Sequence, residues 1–385
     1  MPIGDCIRTA HSRAIDARAA AREFHAQVVQ PDTALVVFFC SSEYELEALA
    51  EEMNRLFAGV LVVGCTTAGE IGPSGYRDRS LCGASFPGAA FVAATGHLDH
   101  LQQFELAAGR SFAQGLMQQL EARAADANPD NSFAMLLIDG LSVREEPVTH
   151  VFQQALGRIP LIGGSAGDDL RFSRTCVFHD GAFRSDSAVL ILVSSAYRVK
   201  TFKTQHFVGK EERLVVTAAD AANRVVSEIN GLPAAEEYAR LVGVEVGDLD
   251  SMCFAASPLV IRIDGTDFVR SIQKSNPDGS LTFYCAIDEG LVLRLARGVD
   301  LLANLGQTFD DIAAEIGNPQ LVLGCDCILR NLEISRTGLK EAVGELFRRN
   351  NVVGFSTYGE QFGGVHVNQT FTGIAIGAAL EQADG

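Results

Sequence analysis

Three phrases of the chain repeat one order of small, hydroxyl-bearing and acidic residues. They are Val63-Gly64-Cys65-Thr66-Thr67-Ala68-Gly69-Glu70, Ile162-Gly163-Gly164-Ser165-Ala166-Gly167-Asp168 and Val353-Gly354-Phe355-Ser356-Thr357-Tyr358-Gly359-Glu360, the middle copy one residue shorter. A single such phrase reads as a tight turn at a strand end, where glycine admits positive φ and the hydroxyl and carboxylate serve local backbone donors. Three copies put backbone donors and small side chains where ligands sit in α/β layers, so a pocket lined by at least one copy is expected. Nucleotide phosphate is a poor occupant. No phrase ends in Gly-Lys-Ser/Thr, and acids follow where a phosphate needs positive charge.

Two of the eight histidines stand in strand-like surroundings. In Gly363-Gly364-Val365-His366-Val367-Asn368-Gln369-Thr370, alternation turns His366, Asn368 and Thr370 to one face and Val365, Val367 and Phe371 to the other, a polar stripe suited to a pocket wall. His206, in Phe202-Lys203-Thr204-Gln205-His206-Phe207-Val208, shares its face with Phe202, Thr204 and Val208. An imidazole among apolar neighbours can ligate haem iron, although a core histidine bonded to backbone is the commoner state. His11, His25, His97, His100 and His150 lie in polar contexts and read as solvated. Cys325-Asp326-Cys327 puts two thiols on one strand face, but no second pair completes a zinc knuckle. Cys65 has no sequence-adjacent base, so no acid, base and nucleophile set can be assembled. No catalytic residue is assigned, and the chain is not expected to be an enzyme.

The elements that carry these residues follow from apolar periodicity. Leu35 to Cys40, Met135 to Gly140 and Leu321 to Cys327 are strand-length apolar runs, each followed by a helix. The helices bury Leu46, Leu49, Met53, Leu56 and Phe57; Val148, Val151, Phe152, Ala155 and Leu156; and Leu339, Val343, Leu346 and Phe347 at helical spacing. A glycine phrase and a further strand follow each: Leu81 to Phe86, Ser187 to Val193 and Thr370 to Ile376. Another helix is expected from Asp16 to Val28. The middle of the chain reads as strands from Arg198 to Val216, a helix beginning near Ala218, a turn at Asn230-Gly231-Leu232-Pro233, and a helix from Ala234 to Leu241. The fold class is α/β or α+β, with extended sheets covered by helices and built from repeated strand-helix-strand-strand units. Two domains, 1–197 and 198–385, are expected, with the cut near residues 195 to 200.

The chain of 385 residues carries 31 Lys plus Arg against 48 Asp plus Glu, a formal net charge of -17, so nucleic acid is a poor partner. Apolar runs such as Ala134 to Ile138 are far too short to span a bilayer, and no secretory leader is read, so a cytoplasmic, membrane-free protein is expected. The nine cysteines are odd in number and scattered through strand-like segments, as reduced buried thiols would be.

Gly64-Cys65-Thr66-Thr67-Ala68-Gly69-Glu70-Ile71, Gly163-Gly164-Ser165-Ala166-Gly167-Asp168, Thr357-Tyr358-Gly359-Glu360 and His366-Val367-Asn368-Gln369-Thr370 together resemble the FIST sensory family over nearly the whole chain. The first two phrases would lie in an N-terminal FIST domain, and Asn230-Gly231 onward in a C-terminal, ligand-binding one. In length, and in lacking a fused output domain, the chain is similar to a stand-alone branch, the nitric-oxide-sensing NosP haemoproteins. That resemblance implies an intracellular small-ligand sensor with haem b as cofactor and nitric oxide as signal. It also implies two-component signalling through a separate sensor histidine kinase or a cyclic-di-GMP enzyme. Without a Cys-x-x-Cys-His motif the haem would be noncovalent, with His206 or His366 on the iron and Tyr358 as a third, weaker choice. The alternative is a haem-free binding module for an amino acid or similar metabolite, using Tyr358, Glu360, His366 and Asn368. A homo-oligomer is left open.

Overall fold

The computed structural model describes residues 6–263 and 265–379. It consists of one pattern used three times. The first unit runs through strand Arg8–Ser12, helix Ala17–Val28, strand Thr33–Ser41, helix Leu46–Leu56, strand Val62–Thr67, the short strands Glu70–Gly72 and Gly75–Arg77, and strand Leu81–Pro87. The second repeats that order: Phe91–Leu98, helix Leu106–Arg123, Ser132–Ile138, helix Glu145–Leu156, Leu161–Ser165, Val177–His179 with Ala182–Arg184, and Ala188–Ser195. The third begins with strand Tyr197–Thr204 and resumes at helix Leu301–Ile316. Then come Leu321–Cys327, helices Ile328–Arg336 and Lys340–Arg349, Val352–Thr357, Glu360–Phe362 with Val365–Val367, and Phe371–Ala379. The strands from Phe207–Gly209 to Val292–Gly298 are inserted between its first strand and first helix and form a separate 9-stranded sheet.

Each unit makes a 6-stranded sheet of identical order, but not from its own strands alone. In the first sheet Arg8–Ser12, Leu81–Pro87, Thr33–Ser41 and Val62–Thr67 lie side by side, and the next strands are Val177–His179 and Ala182–Arg184 of the second unit. The second sheet is completed by Glu360–Phe362 and Val365–Val367 of the third unit, and the third by Glu70–Gly72 and Gly75–Arg77 of the first. Hairpins are therefore exchanged in a closed ring. The two middle strands of each sheet are parallel and joined by a crossover helix, as parallel pairing requires. Their inner faces meet in one core, with Leu35, Val37 and Phe39 from the first sheet, Phe133, Met135 and Leu137 from the second, and Leu321, Leu323 and Cys325 from the third. Their outer faces are covered by the helices, which is why these strands read as continuous apolar runs.

The glycine phrases are the nodes of this ring. Gly167 N donates to Thr66 O at 3.0 Å, Ala68 N to Ser356 O at 3.0 Å, and Ser165 N to Gly359 O at 2.8 Å, so each phrase is bonded to the others. A Cβ on Gly64, Gly163 or Gly354 would come within 2.5, 2.2 or 1.8 Å of a carbonyl on the adjacent strand, so only glycine permits this approach. The acids of the outer copies close the turns. Glu70 accepts from the Thr67 hydroxyl and, at 2.6 Å, from the Ser80 hydroxyl. Glu360 accepts from the Thr357 hydroxyl and, at 2.6 Å, from that of Thr370.

The expected repeat and its helices are present, with Asp16 capping Ala17–Val28 through Ala19 N at 2.8 Å. Other expectations are corrected. No helix begins near Ala218; strand Leu214–Asp220 continues through it, because Val216 pairs with Ile229 and Ala219 with Val226, and pairing outweighs alanine's helical preference. The strand around Met135 ends at Ile138, before Gly140. His97 is not freely solvated; it lies on strand Phe91–Leu98 with its ring stacked 5.9 Å from His179. The cut near 195 to 200 falls where strand Ala188–Ser195 gives way to Tyr197–Thr204. No helix among the described residues is long and apolar enough to cross a membrane.

Burial pushes the carboxyls of both Glu70 and Glu360 up to about 8. A carboxyl raised in the folded state holds a proton that the unfolded chain has released, so the stability it contributes is complete below the unfolded value and is lost as pH rises to about 8. Each group then contributes a slope of at most about 1.4 kcal/mol per pH unit. The Glu70→Gln, Glu360→Gln double variant is expected to flatten the fall in denaturant-derived stability between pH 5 and 8. An unchanged slope contradicts the assignment.

Candidate functional site

Each exchanged hairpin packs against a helix of the unit whose sheet it joins: Ala182–Arg184 with Leu46–Leu56, Val365–Val367 with Glu145–Leu156, and Gly75–Arg77 with Lys340–Arg349. The first opens to solvent as a cleft of about 640 Å³, lined by Glu45, Asn54, Asp168, Arg171 and Arg174 among others. Over the second lies the inserted sheet. Arg224 from that sheet donates to Glu145 at 2.6 Å and to Glu146, and its other terminal nitrogen donates to Tyr284 O at 2.7 Å. Ala286 N also donates to Glu146, and Gln369 donates to Ala255 O at 2.8 Å. Burial raises the Glu145 carboxyl, while the two carboxylates beside Arg224 hold its guanidinium protonated.

Under this cover the third phrase and its hairpin present polar atoms with no partner. His366 is 2% exposed and Asn368 1% exposed; His366 Nε2, both amide atoms of Asn368, Gln361 Oε1 and Gln369 Oε1 are buried and unbonded. Buried polar atoms are nearly always satisfied, so such a concentration calls for partners from ordered water or from another molecule. The cluster is held by sequence-local geometry. A Cβ on Gly359 would meet His366 Cε1 at 2.3 Å and Asn368 Nδ2 at 3.0 Å, so the glycine of the phrase makes room for both side chains. Gln369, at φ 49°, breaks the strand and turns the chain back into the core. Burial first, and then the charges of Arg224 and Arg270, push the His366 imidazole down to about 4, against the opposing effect of Glu146 and the Tyr284 backbone. The ring is neutral at neutral pH.

The other expected site residues lie elsewhere. His206 sits in the break between Tyr197–Thr204 and Phe207–Gly209, at the neck of the insertion, instead of on a strand. It faces Glu333 at 2.9 Å and Arg330 at 3.1 Å, and Arg330 in turn donates to Asp326 at 2.8 Å, which also accepts from Tyr76. This chain is structural: Arg330 and Asp326 are wholly buried. Tyr358 donates to Asp168 and accepts from Leu170 N at 2.7 Å, bridging the second and third phrases. Glu360 spends both oxygens within its own unit. Of the expected set, then, the fold brings together His366 and Asn368. Cys325 and Cys327 are core thiols that burial pushes well up.

Haem, which the resemblance implies, requires a side chain with a free lone pair aimed at iron. His206 Nδ1 accepts from the Arg330 guanidinium, so its Nε2 carries the proton toward Glu333. His366 Nδ1 accepts from the Gln361 amide nitrogen at 3.2 Å, so its Nε2 carries the proton as well. The Tyr358 phenol donates to Asp168, and burial pushes its ionisation well up. As built, none of the three side chains fits iron.

Sequence reading missed Gln361, Gln369, Arg224, Arg270, Glu145 and Glu146. Gln369 lies within the quoted His366 phrase and Gln361 directly after Tyr358-Gly359-Glu360, so both were open to notice. The arginines arrive from the insertion, and no spacing connects them to His366. Replacing Arg224 by Met leaves Glu145 buried without a cation, and a loss of about 3–5 kcal/mol is expected in chemical denaturation. Hydrogen exchange should then quicken at Tyr284–Ala286, where the cover meets the helix. A variant as stable and as protected as the parent contradicts the latch.

Residues 34–232 match the FIST N domain model and residues 234–363 the FIST C domain model. No curated protein matches the chain significantly. The two matches run through all three sheets and through the insertion, and on them the chain belongs to the FIST family, whose domains are small-ligand sensory modules of signalling proteins.

Proposed function

We propose that the chain is a non-catalytic sensor that holds a small polar ligand between the inserted sheet and the third phrase, and passes the bound state to a separate partner protein. The observation that carries this reading is the set of unbonded buried atoms on Gln361, His366, Asn368 and Gln369. A ligand that satisfies them binds the covered arrangement better than any open one, and such differential affinity is what shifts a two-state equilibrium. The inserted sheet is the element such a shift would move, since the Arg224 latch and the His206 neck both tie it to the ring. An amino acid or similar metabolite suits the polar lining.

The haem and nitric-oxide reading remains the alternative, favoured by the buried, neutral imidazole of His366. It requires that ring to exchange tautomers. For the output, a sensor histidine kinase or a cyclic-di-GMP enzyme is the proposed partner and the cytoplasm the proposed compartment. With a net charge of -17, association should use a neutral or basic patch of the partner and weaken as salt rises.

Thermal unfolding of the whole chain with each of the proteinogenic amino acids, and absorption spectra with hemin before and after nitric oxide, separate these readings. A ligand at a hundred times its Kd adds about 2.7 kcal/mol of stability. Saturable stabilisation without colour supports the metabolite sensor, and it should vanish in Asn368→Ala. A Soret band that shifts with nitric oxide moves the assignment to haem. Stabilisation that survives Asn368→Ala places the ligand elsewhere.

A further inference from the structure

Building on that sensor reading, we infer that the ligand presents a carboxylate to Arg270, His366 Nε2–H and Asn368 Nδ2, and that Gln361 is the positioning residue that keeps His366 in this donor form. An amide nitrogen has hydrogens and no usable lone pair, so the Gln361 Nε2 contact with Nδ1 at 3.2 Å forces that ring nitrogen to accept. The one ring proton of a neutral imidazole then resides on Nε2. Gln361 is itself fixed, because the same amide nitrogen donates to Ser165 Oγ at 3.0 Å and approaches Gly359 O at 3.5 Å. The second phrase thereby orients the amide that sets the tautomer of a histidine in the third unit.

The charge around the cluster points the same way. Arg224 is matched by Glu145 and Glu146, whereas Arg270 forms no ion pair among the described residues, and its buried Nε lacks a partner. Strand Thr266–Arg270 of the cover packs against the Val365–Val367 hairpin strand, and the Arg270 charge acts on the His366 ring. A half-buried guanidinium with no carboxylate partner among the described residues, which donates to Val269 O at 3.3 Å, beside a buried imidazole N–H and a buried amide N–H, is a donor set for an anion. Charge-assisted bonds to a carboxylate are the strong version of that pairing. Glu146, whose charge also acts on His366, is held by Arg224 and Ala286 N, and a metal ion would meet a protonated nitrogen.

The tautomer is read directly from the imidazole 15N–1H correlation spectrum of the full-length protein, with His366 assigned by its absence in His366→Asn. The wild type should show the Nε2–H form. Gln361→Glu, read above pH 8 where the buried carboxyls of this core are ionised and can only accept, should convert it to the Nδ1–H form. A wild-type Nδ1–H pattern, or a Gln361→Glu spectrum unchanged from the parent, overturns the role of Gln361.

The carboxylate is tested by calorimetric titration with the proteinogenic amino acids, pyruvate and 2-oxoglutarate, each beside its methyl ester. The amino and oxo acids distinguish the two sources of the group. At least one acid should bind, its ester at least 10-fold more weakly, and Arg270→Gln should bind the acid about 10- to 100-fold more weakly. If Arg270→Gln does not fold, the contrast between acid and ester on the wild type decides. Binding of an ester as tight as the acid, or of hemin and its dimethyl ester alike while every acid fails, overturns the carboxylate and leaves the sensor reading standing. Failure of every acid, ester and hemin to bind overturns both.

Discussion

No sheet of the ring can be finished by its own unit. The hairpin after the first glycine phrase belongs to the third sheet, that after the second to the first, and that after the third to the second. A sheet edge left without its partner strand exposes unpaired backbone, so completing one sheet requires the others to be in place. The three units are thus bound to fold as one body, and the shared core, to which every sheet contributes an inner face, is the energetic expression of that constraint.

The phrases that looked most like ligand loops are the places where the exchange occurs, and their chemistry is largely used in making it. Their glycines permit backbone to approach backbone, and Glu70 and Glu360 lock the turns from inside. Tyr358 reaches across to Asp168, which also accepts from the backbone nitrogens of Phe172, Ser173 and Arg174 at 3.0, 2.8 and 2.9 Å. A residue type suited to binding does not become a binding residue when its atoms are already satisfied by the fold.

The proposed site lies where the symmetry is broken. The hairpin–helix contacts begin as equivalents, but the 9-stranded insertion covers the one beside Glu145–Leu156 and brings Arg224 and Arg270 to it from outside the ring. It is attached by charged groups, Arg224 at the cover and His206, Arg330 and Asp326 at the neck, and by apolar packing of Ala255 and Tyr284 against Ile328 and Leu329. Buried charges of this kind contribute little net stability but strongly oppose any arrangement in which one partner is left alone. That is a fitting property for an element whose closed position has to be well defined.

The repeat, the helices and the buried faces were legible in the chain because each depends on local periodicity. Thr33–Ser41 and Leu321–Cys327 read as strands from continuous apolar runs of strand length, and Leu46–Leu56 and Lys340–Arg349 as helices from their 3.6-residue period, both patterns being imposed within a single element. His366 and Asn368 were legible as a polar stripe for the same reason. Which sheet each hairpin joins was not, because the choice lies between strands of similar composition and is made by packing across more than a hundred residues. Nor was the sign of the site: Arg224 and Arg270 reach His366 only after the insertion has folded over the groove, and the Gln361 contact that places its proton depends on Ser165, 196 residues away. Local pattern determines elements because its forces act over a few residues. The charge, the tautomer and the cover of a site are decided by tertiary structure, because electrostatics and hydrogen bonding act across space, without regard to distance along the chain.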